Sequence, residues 1–416
     1  MNEPPYPGSW RPNPVELGYF AQALAKRYDG NTPDPLFPGR KLPAVNLFEA
    51  WNEPNYKMFL APQCTKGTMI AGNICTSGGK LAAPEHYRLM LNEFFKGVKN
   101  SQPSAVVIGG ALGPYGNSSQ GYEIDPQVFA RSLLCLGGSA AAPSPLPARS
   151  CPVKVNLDGL SFHPYTLTGT PTTKASSPNG GALGNAPDLR RALDRAASTG
   201  SVLPAGRKVL WETETGWMTC PPCRSTVNAG QAIGVAPDVA ARYTAEMIYR
   251  AWSWGVDGLV WYGILDSPTW PAGLNYRCAL SATTRFEFCP AAGQSDAVAK
   301  PSLAAFRFPL FSAKTSSTMA FSWVLSPCKV PGSTVRLEVL SSRTKKWSAL
   351  NVPGPVDPKT KRPTSIPLTL TLPAGTDGTA KSAAWTIPTY TTSIRATASG
   401  TGCSTETSIA MPIASK

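Results

Sequence analysis

The sequence predicts an α/β domain built on a parallel sheet or barrel, followed by an all-β sandwich. Up to about residue 311, five short apolar segments alternate with segments of helical periodicity, a pattern typical of parallel sheets. From there to the end, the chain is rich in Ser and Thr, and turn residues separate short alternating runs, which is typical of a β-sandwich. We therefore expect one domain over residues 1–311 and a second over residues 312–416.

The predicted strands of the first domain lie near residues 45–51, 105–110, 155–162, 208–214 and 258–264. Apolar periodicity and start signals predict helices near residues 13–30, from 84 to about 98, and over 126–136, 187–198, 237–254 and 300–308. The first of these has Asn13 as its cap, Pro14 at its first position and Gly30 after its end. In the second domain, strands are expected over residues 320–325, 334–340, 346–352, 366–372, 383–387, 393–398 and 405–411.

Composition and charge limit the classes of protein to consider. The chain has 416 residues, of which 42% are hydrophobic, so it can bury a sizeable core and general disorder is excluded. No apolar run approaches the ~18 residues of a membrane span, and the first 20 residues lack the features of a signal peptide. The net charge is +14, and residues 312–416 contain twelve Lys and Arg against four Asp and Glu.

The basic surface of the second domain has two interpretations. Basic and aromatic residues do not interleave as they do in single-strand binders, so we favour a solvated basic surface and expect no nucleic-acid partner. The positive charge would also allow this domain to contact an acidic glycan or a cell wall.

The ten cysteines indicate the compartment. They suggest five pairs: 64–75, 135–151, 220–223, 278–289 and 328–403. A zinc site is the alternative, but only residues 220–223 have ligand spacing, and the chain has just two histidines. Residues 220–223 (Cys-Pro-Pro-Cys) also match a redox dithiol, although without the usual context of one. Disulfides are favoured, and they imply an oxidising compartment and a secreted protein.

Two acidic segments can carry chemistry. Residues 51–55 (Trp-Asn-Glu-Pro-Asn) follow the first strand, and residues 211–217 (Trp-Glu-Thr-Glu-Thr-Gly-Trp) end the fourth. Reactive groups of parallel barrels lie at the carboxyl ends of strands. Two carboxylates placed there could straddle a glycosidic bond, one protonating the leaving oxygen and the other attacking the anomeric carbon. Neighbouring aromatic residues, including Tyr262, suit the stacking of sugar rings.

In these segments the chain resembles the retaining glycoside hydrolases of clan A, which are (β/α)8 barrels. Asn-Glu-Pro matches the acid/base motif at the end of the clan's fourth strand, and residues 213–217 match the nucleophile motif of its seventh. Residues 161–165 (Ser-Phe-His-Pro-Tyr) resemble its sixth strand end, and Trp261 matches a sugar platform of the eighth. The resemblance covers roughly residues 13–308, and its wording is closest to family 39 and some members of family 5.

The resemblance implies specific roles. Glu53 would be the acid/base and Glu214 the nucleophile of a double displacement that retains configuration. No metal and no cofactor are implied. The carbohydrate substrate would be bound by Asn52, His163, Tyr165, Trp217 and Trp261.

Some of these assignments have alternatives. In the resemblance, Asn52 bonds the sugar 2-hydroxyl and Tyr165 holds the nucleophile. Glu53 could instead be a capping or surface carboxylate, His163 a satisfied core histidine and Trp261 plain core packing.

Two further glutamates lie deeper on the same strands. Period 2 places Glu212 on the strand face of Glu214, and Glu49 lies four residues before Glu53. A carboxylate at such depth is costly unless it is paired. We interpret both as interior groups and take the outer pair as catalytic.

The resemblance also implies that the chain lacks part of the barrel. A closed barrel has eight strands, whereas the sequence contains five candidates, and only twelve residues precede the first helix. If Glu53 ends the fourth strand, the chain holds strands 4–8, and an open sheet with two unpaired edges is expected. Such a chain is expected to fold poorly and to work weakly or not at all.

Two functions follow from these observations. The first is hydrolysis of a β-glycan, or of an oligosaccharide derived from one, by a secreted retaining glycosidase. The alternative is a carbohydrate-binding or cell-surface protein that is derived from a glycosidase and does not turn over substrate.

Overall fold

The computed structural model describes residues 8–118, 121–219, 234–267, 270–277, 297–373 and 377–414. The chain divides into two compact units. The first comprises Met1–Thr215 and Ala251–Tyr262, and the second comprises Gly216–Arg250 and Gly263–Lys416. This division differs from the boundary expected between residues 311 and 312.

The first unit contains a sheet of five parallel strands. Its order follows the chain, and its strands are β1 (Leu47–Ala50), β2 (Val106–Leu112), β3 (Gly159–Phe162), β4 (Val209–Thr215) and β5 (Gly258–Trp261). Each predicted strand contributes one member, although residues Val155–Asn156 leave the sheet and pair with Val202–Leu203. Within the described residues, β1 and β5 each pair with one neighbour in this sheet. The result is a mixed α/β structure with a parallel half-barrel sheet, and the assignment of its strands to positions 4–8 of a TIM-type barrel stays a prediction.

Four helices of the first unit share a core with this sheet. They are α1 (Pro14–Arg27), α2 (Ala83–Ser101), α3 (Pro126–Leu133) and α4 (Ala186–Ser198), whereas α5 (Pro237–Ser253) precedes β5 in the chain and belongs mostly to the second unit. The first helix begins as predicted, because the side chain of Asn13 accepts a hydrogen bond of 3.0 Å from the Val15 amide. Leu91, Leu160 and Leu210 are fully buried in the core that the helices share with the sheet.

Short elements connect these strands and helices. The two-stranded pieces are Met69–Ile70 with Ile74–Cys75, Asn117–Ser118 with Gly121–Tyr122, Leu136–Gly138 with Pro143–Pro145, and Asn275–Tyr276 with Val298–Ala299. Single 3-10 turns span Ala71–Asn73, Ala148–Ser150 and Leu183–Asn185.

The second unit contains the β-domain. Its strands are β6 (Leu310–Lys314), β7 (Met319–Leu325), β8 (Thr334–Ser341), β9 (Trp347–Ala349), β10 (Asn351–Val356), β11 (Pro363–Pro367), β12 (Thr369–Thr371), β13 (Thr379–Lys381), β14 (Trp385–Thr386), β15 (Thr391–Gly400) and β16 (Cys403–Thr407). One sheet has the order β6-β7-β13, with β14 also on β7. The other has the order β9-β8-β15-β16, with β12 also on β8, and β10 pairs with β11.

Helical residues join the core of the β-domain, which explains the division of the chain. Ala241 and Ala245 of α5 are buried with Val335 and Trp385 of the sheets. The last helix, α6 (Pro301–Arg307), leads into the same core through Phe308. A boundary at residue 311 would separate these helical residues from the sheets against which they pack.

Three of the expected disulfides are present. Cys64 bonds to Cys75, Cys135 to Cys151, and Cys328 to Cys403, which links the segment before β8 to the start of β16. These three predictions are confirmed. The pairs 220–223 and 278–289 lie outside the described residues.

Candidate active site

Glu53 lies just beyond β1 on a tightly turned backbone. Trp51 and Glu53 have φ values of 71° and 39°, in the left-handed region that non-glycine residues seldom adopt. The Glu53 amide donates to the Ala111 carbonyl at the end of β2, at 3.0 Å. Asn52, between them, is half-buried. Such strained backbone persists where surrounding contacts enforce it, and here it aims a carboxylate at the carboxyl edge of the sheet.

Glu214 lies at the end of β4. The Tyr165 hydroxyl donates to Glu214 Oε2 at 3.1 Å, the contact that the sequence predicted. Burial raises the pKa of the Glu214 carboxyl, while His163 and the Tyr165 hydroxyl partly offset that rise. Burial and the charge of Glu214 raise the pKa of Tyr165 above its usual value, so its hydroxyl stays a neutral donor.

His163 joins the two glutamates. Its side chain is 1% exposed, and its Nδ1 lies 2.9 Å from Glu53 Oε1 and 3.7 Å from Glu214 Oε2. The first distance is that of a hydrogen bond, whereas the second is longer than one. Because both oxygens neighbour one nitrogen, they are at most about 6.6 Å apart, the sum of the two distances. The structure thus brings Glu53, Glu214, His163 and Tyr165 together.

The two deeper glutamates differ in their partners. Glu49 Oε1 accepts a hydrogen bond of 2.8 Å from the Thr213 hydroxyl. Glu212 is fully buried, and within the described residues neither of its carboxylate oxygens has a hydrogen-bond partner. Burial raises the pKa of Glu212 to about 8. The pairing of β4 with β5 shifts register between Glu212 and Thr215, so strict alternation does not extend from Glu212 to Glu214.

The aromatic residues expected to contact the sugar differ in their exposure to solvent. Trp261 is 8% exposed, and Trp217 is 2% exposed in the second unit with its ring 5.5 Å from that of Tyr243. Such burial leaves little ring surface for a sugar, and the sugar-binding roles of both tryptophans stay predictions. Tyr262, in contrast, is 45% exposed, and its ring lies edge-on to that of Tyr165 at 6.4 Å.

The sequence does not mark a loop that lies beside Glu53. Its described residues, 113–118 and 121–125, are held there by the buried Asn55, whose side-chain amide donates to the carbonyls of Gly113, Tyr115 and Ile124 at 3.2–3.3 Å. Asn55 Oδ1 in turn accepts from the Gly113 amide at 2.9 Å. Asn55 lies within the motif at residues 51–55, so its position could have been noticed, but its partners are about 60 residues away.

Tyrosines connect this loop to both catalytic candidates. The Tyr56 hydroxyl accepts from the Tyr115 amide at 3.0 Å, and the Tyr115 hydroxyl donates to the Tyr165 carbonyl at 3.2 Å. Tyr115 is 41% exposed. A Cβ atom on Gly113 would lie 2.3 Å from the Tyr56 ring, so the close approach of this loop requires glycine.

A further carboxylate belongs to this loop. Glu123 Oε1 accepts from the Lys57 amide at 3.3 Å. Burial raises the pKa of Glu123, and the charge of Glu53 adds to that rise. No sequence signal marks Glu123 or Tyr115, because both reach the site only through long-range contacts.

Comparison with known proteins gives weak similarities to carbohydrate-active enzymes. The structure resembles a monomeric β-xylosidase from Caulobacter crescentus CB15, with 14% identity and a TM-score of 0.38 over 91% of this chain and 73% of that one. A glucosidase from Croceicoccus marinus is 11% identical, with a TM-score of 0.39 over 91% of this chain and 76% of that one. A family 44 xyloglucanase from Paenibacillus polymyxa is 10% identical, with a TM-score of 0.36 over 90% of this chain and 69% of that one.

All three are glycoside hydrolases. No family model and no curated protein matches the chain. The resemblance to families 39 and 5 therefore stays a prediction, and the assignment of a function rests on the site itself.

Two features of other protein classes, a membrane-spanning helix and a metal-ligand cluster, are absent from the described residues. Among the residues that the structure describes, no helix is long and apolar enough to cross a membrane. The same residues contain no group of three or more His, Cys, Asp and Glu that could hold a metal ion.

Proposed function

We propose that the protein is a retaining glycosidase in which Glu53 is the acid/base and Glu214 the nucleophile. The observation that carries the proposal is the contact of His163 Nδ1 with carboxylate oxygens of both residues. Carboxyl groups of retaining enzymes are about 5–5.5 Å apart, whereas inverting enzymes separate them by about 6.5–9.5 Å to admit a water molecule. The bound of about 6.6 Å between Glu53 Oε1 and Glu214 Oε2 admits the separation of retaining enzymes and excludes all but the lower end of the inverting range for these two atoms.

In the first step, Glu53 would give its proton to the glycosidic oxygen. The bond between that oxygen and the anomeric carbon breaks, and Glu214 forms an ester with the carbon. In the second step, Glu53 takes a proton from water, the water oxygen attacks the same carbon, and the ester breaks. Two inversions at one carbon give net retention.

The contacts of each carboxylate suit these roles. Tyr165 donates to Glu214 Oε2, which leaves Oε1 of Glu214 to attack the anomeric carbon. His163 contacts Oε1 of Glu53, which leaves Oε2 to carry the proton. Donors to an ionised carboxylate stabilise it, so Tyr165 opposes the effect of burial on the nucleophile.

The substrate that we propose is a β-glycan or an oligosaccharide derived from one. Tyr115 and Tyr262 are exposed, and their rings are candidate stacking surfaces for sugars. The Tyr115 hydroxyl bonds to the Tyr165 carbonyl, and the Tyr262 ring lies edge-on to the Tyr165 ring. We also propose that the protein is secreted, since the three disulfides among the described residues suit an oxidising compartment. There its basic C-terminal domain would contact an acidic glycan.

The test of this function is the release of nitrophenol from a panel of nitrophenyl β-glycosides. Glu214→Gln is expected to abolish turnover. Glu53→Ala is expected to keep activity toward dinitrophenyl glycosides, because a good leaving group needs no proton, and added azide should yield a β-glycosyl azide. Azide rescue that gives the α-anomer would contradict retention. Binding of sugars without any turnover between pH 4 and 8 would favour a non-catalytic carbohydrate-binding protein.

A mechanism-based label identifies the nucleophile directly. A 2-fluoro-glycoside should form an ester that peptide mapping locates at Glu214. Glu212→Gln is the matched control, because it changes the neighbouring strand position and should leave labelling intact. Labelling at Glu212 would show that the wrong member of β4 has been chosen.

A further inference from the structure

The turn between β8 and β9 forms a concentrated basic site on the β-domain. Arg343, Lys345 and Lys346 are all exposed there, and the turn contains no acidic residue. The adjacent start of β15 lies against it, because the Ser342 amide donates to the Tyr390 carbonyl at 2.7 Å. This brings Tyr390, which is 57% exposed, beside the turn, with the Arg343 guanidinium 6.0 Å from the centre of its ring.

The site continues onto the outer face of the sheet. Trp347 begins β9, and the Arg395 guanidinium of β15 lies 4.4 Å from its ring centre. Arg395 also pairs with Glu338 at 2.8 Å, so the Glu338 carboxylate is neutralised within the protein. In the register of the sheet, Leu340 of β8 is opposite Trp347 of β9 and Ser393 of β15, so Trp347 and Arg395 lie on neighbouring pairs of the same sheet.

We propose that this surface, called here the basic turn site (Arg343, Lys345, Lys346, Tyr390 and Trp347), binds an anionic polysaccharide through its uronate carboxylates. Guanidinium and ammonium groups pair with carboxylates, and flat aromatic rings accept the apolar faces of pyranose rings. Three cations on one turn are fewer than the roughly 6–10 phosphate contacts typical of DNA-binding proteins, which favours a glycan over a nucleic acid.

This inference deepens the proposed contact with acidic glycans and does not depend on hydrolysis. A second turn supplies a matched control. Lys359, Lys361 and Arg362, in the turn between β10 and β11, are also exposed and carry the same three positive charges. That turn contains Asp357.

The experiment measures binding of the full chain carrying Glu214→Gln to polygalacturonate by isothermal titration at 50 and 300 mM NaCl. Arg343→Ala/Lys345→Ala/Lys346→Ala should weaken binding by about tenfold or more, because three exposed charge pairs with carboxylates are lost together. Tyr390→Ala should also weaken it without any change in charge. Lys359→Ala/Lys361→Ala/Arg362→Ala should stay within about twofold of the parent.

Three outcomes would overturn the proposal. Equal losses in the two triple variants would mean that net charge alone attracts the polymer. Tighter binding of single-stranded DNA through the same residues would identify a nucleic-acid site, and undetectable binding of polygalacturonate would exclude a glycan site. The proposed catalytic function is tested separately. For this, nitrophenyl glycoside hydrolysis is measured for the chain that keeps Glu214, with and without the triple change at residues 343, 345 and 346.

Discussion

Replacing Glu212 by glutamine is expected to stabilise the protein at neutral pH while leaving its stability near pH 4 unchanged. Glu212 is fully buried, its oxygens lack hydrogen-bond partners within the described residues, and burial raises its pKa from 4.5 to about 8. The folded state therefore keeps the proton between these two pH values, whereas the unfolded state releases it. The contribution of Glu212 to the free energy of unfolding accordingly falls as pH rises from 4.5 to about 8, and it does not change below or above this range.

The size of the effect follows from the two pKa values. One unit of pKa difference corresponds to about 1.4 kcal/mol, so the loss between pH 4.5 and pH 7 is about 3 kcal/mol. Glutamine has nearly the same shape and no charge at any of these pH values, so it abolishes this term. The stability difference between Glu212→Gln and the wild type should thus grow from near zero at pH 4 to about 3 kcal/mol at pH 7.

The assay is urea unfolding followed by tryptophan fluorescence at half-unit steps from pH 4 to 9. Subtracting the two proteins at each pH removes the contribution of every other titrating group. A constant difference between wild type and Glu212→Gln would refute the reasoning, because it would mean that Glu212 ionises at the same pH in both states.

Three further predictions concern the site and its support. Tyr165→Phe removes a donor to Glu214, so the pKa of that carboxyl rises and the acidic limb of the kcat/KM profile should move to higher pH; an unmoved limb would contradict the role of Tyr165. Gly113→Ala places a methyl group against the Tyr56 ring and should destabilise the protein by about 1–3 kcal/mol in thermal unfolding, whereas no change would mean that the loop yields freely. Cys64→Ser removes one disulfide and should cost about 2–4 kcal/mol in the same assay, with an unaltered Tm as the contrary result.

The regular elements could be predicted because their signals are local. Pro14 begins α1 as a proline at the first position of a helix should, and each of the five apolar runs supplies a strand of the sheet. The β-domain was predicted less well. The run over residues 346–352 is divided between β9 and β10, because the fully buried Leu350 between them bonds through its backbone to Leu337 and Leu368. Only the tertiary structure determines where such a run is interrupted.

The site shows the same limit at the level of side chains. Glu53 and Glu214 could be chosen because strand ends meet at one edge of a parallel sheet, whatever the loops do. The solvent exposure of the aromatic side chains at these strand ends could not be predicted in this way. Tyr262 is 45% exposed and Trp261, its neighbour in sequence, is 8% exposed, yet both are aromatic residues at the same strand end. Tyr115 joins the site only through hydrogen bonds to residues about 50 and 60 positions away.

Four glutamates on two strand ends show why the partner, rather than the residue type, decides the chemistry. Glu49 is held by a threonine hydroxyl, and Glu212 lacks a hydrogen-bond partner in the described residues. Glu53 and Glu214 share that histidine, and Glu214 has a tyrosine donor in addition. An unpartnered buried carboxylate is most stable with its proton, so Glu212 is a poor nucleophile at neutral pH. Burial raises the pKa of both glutamates, but His163 and the Tyr165 hydroxyl partly offset that rise at Glu214, which supports Glu214 as the proposed nucleophile.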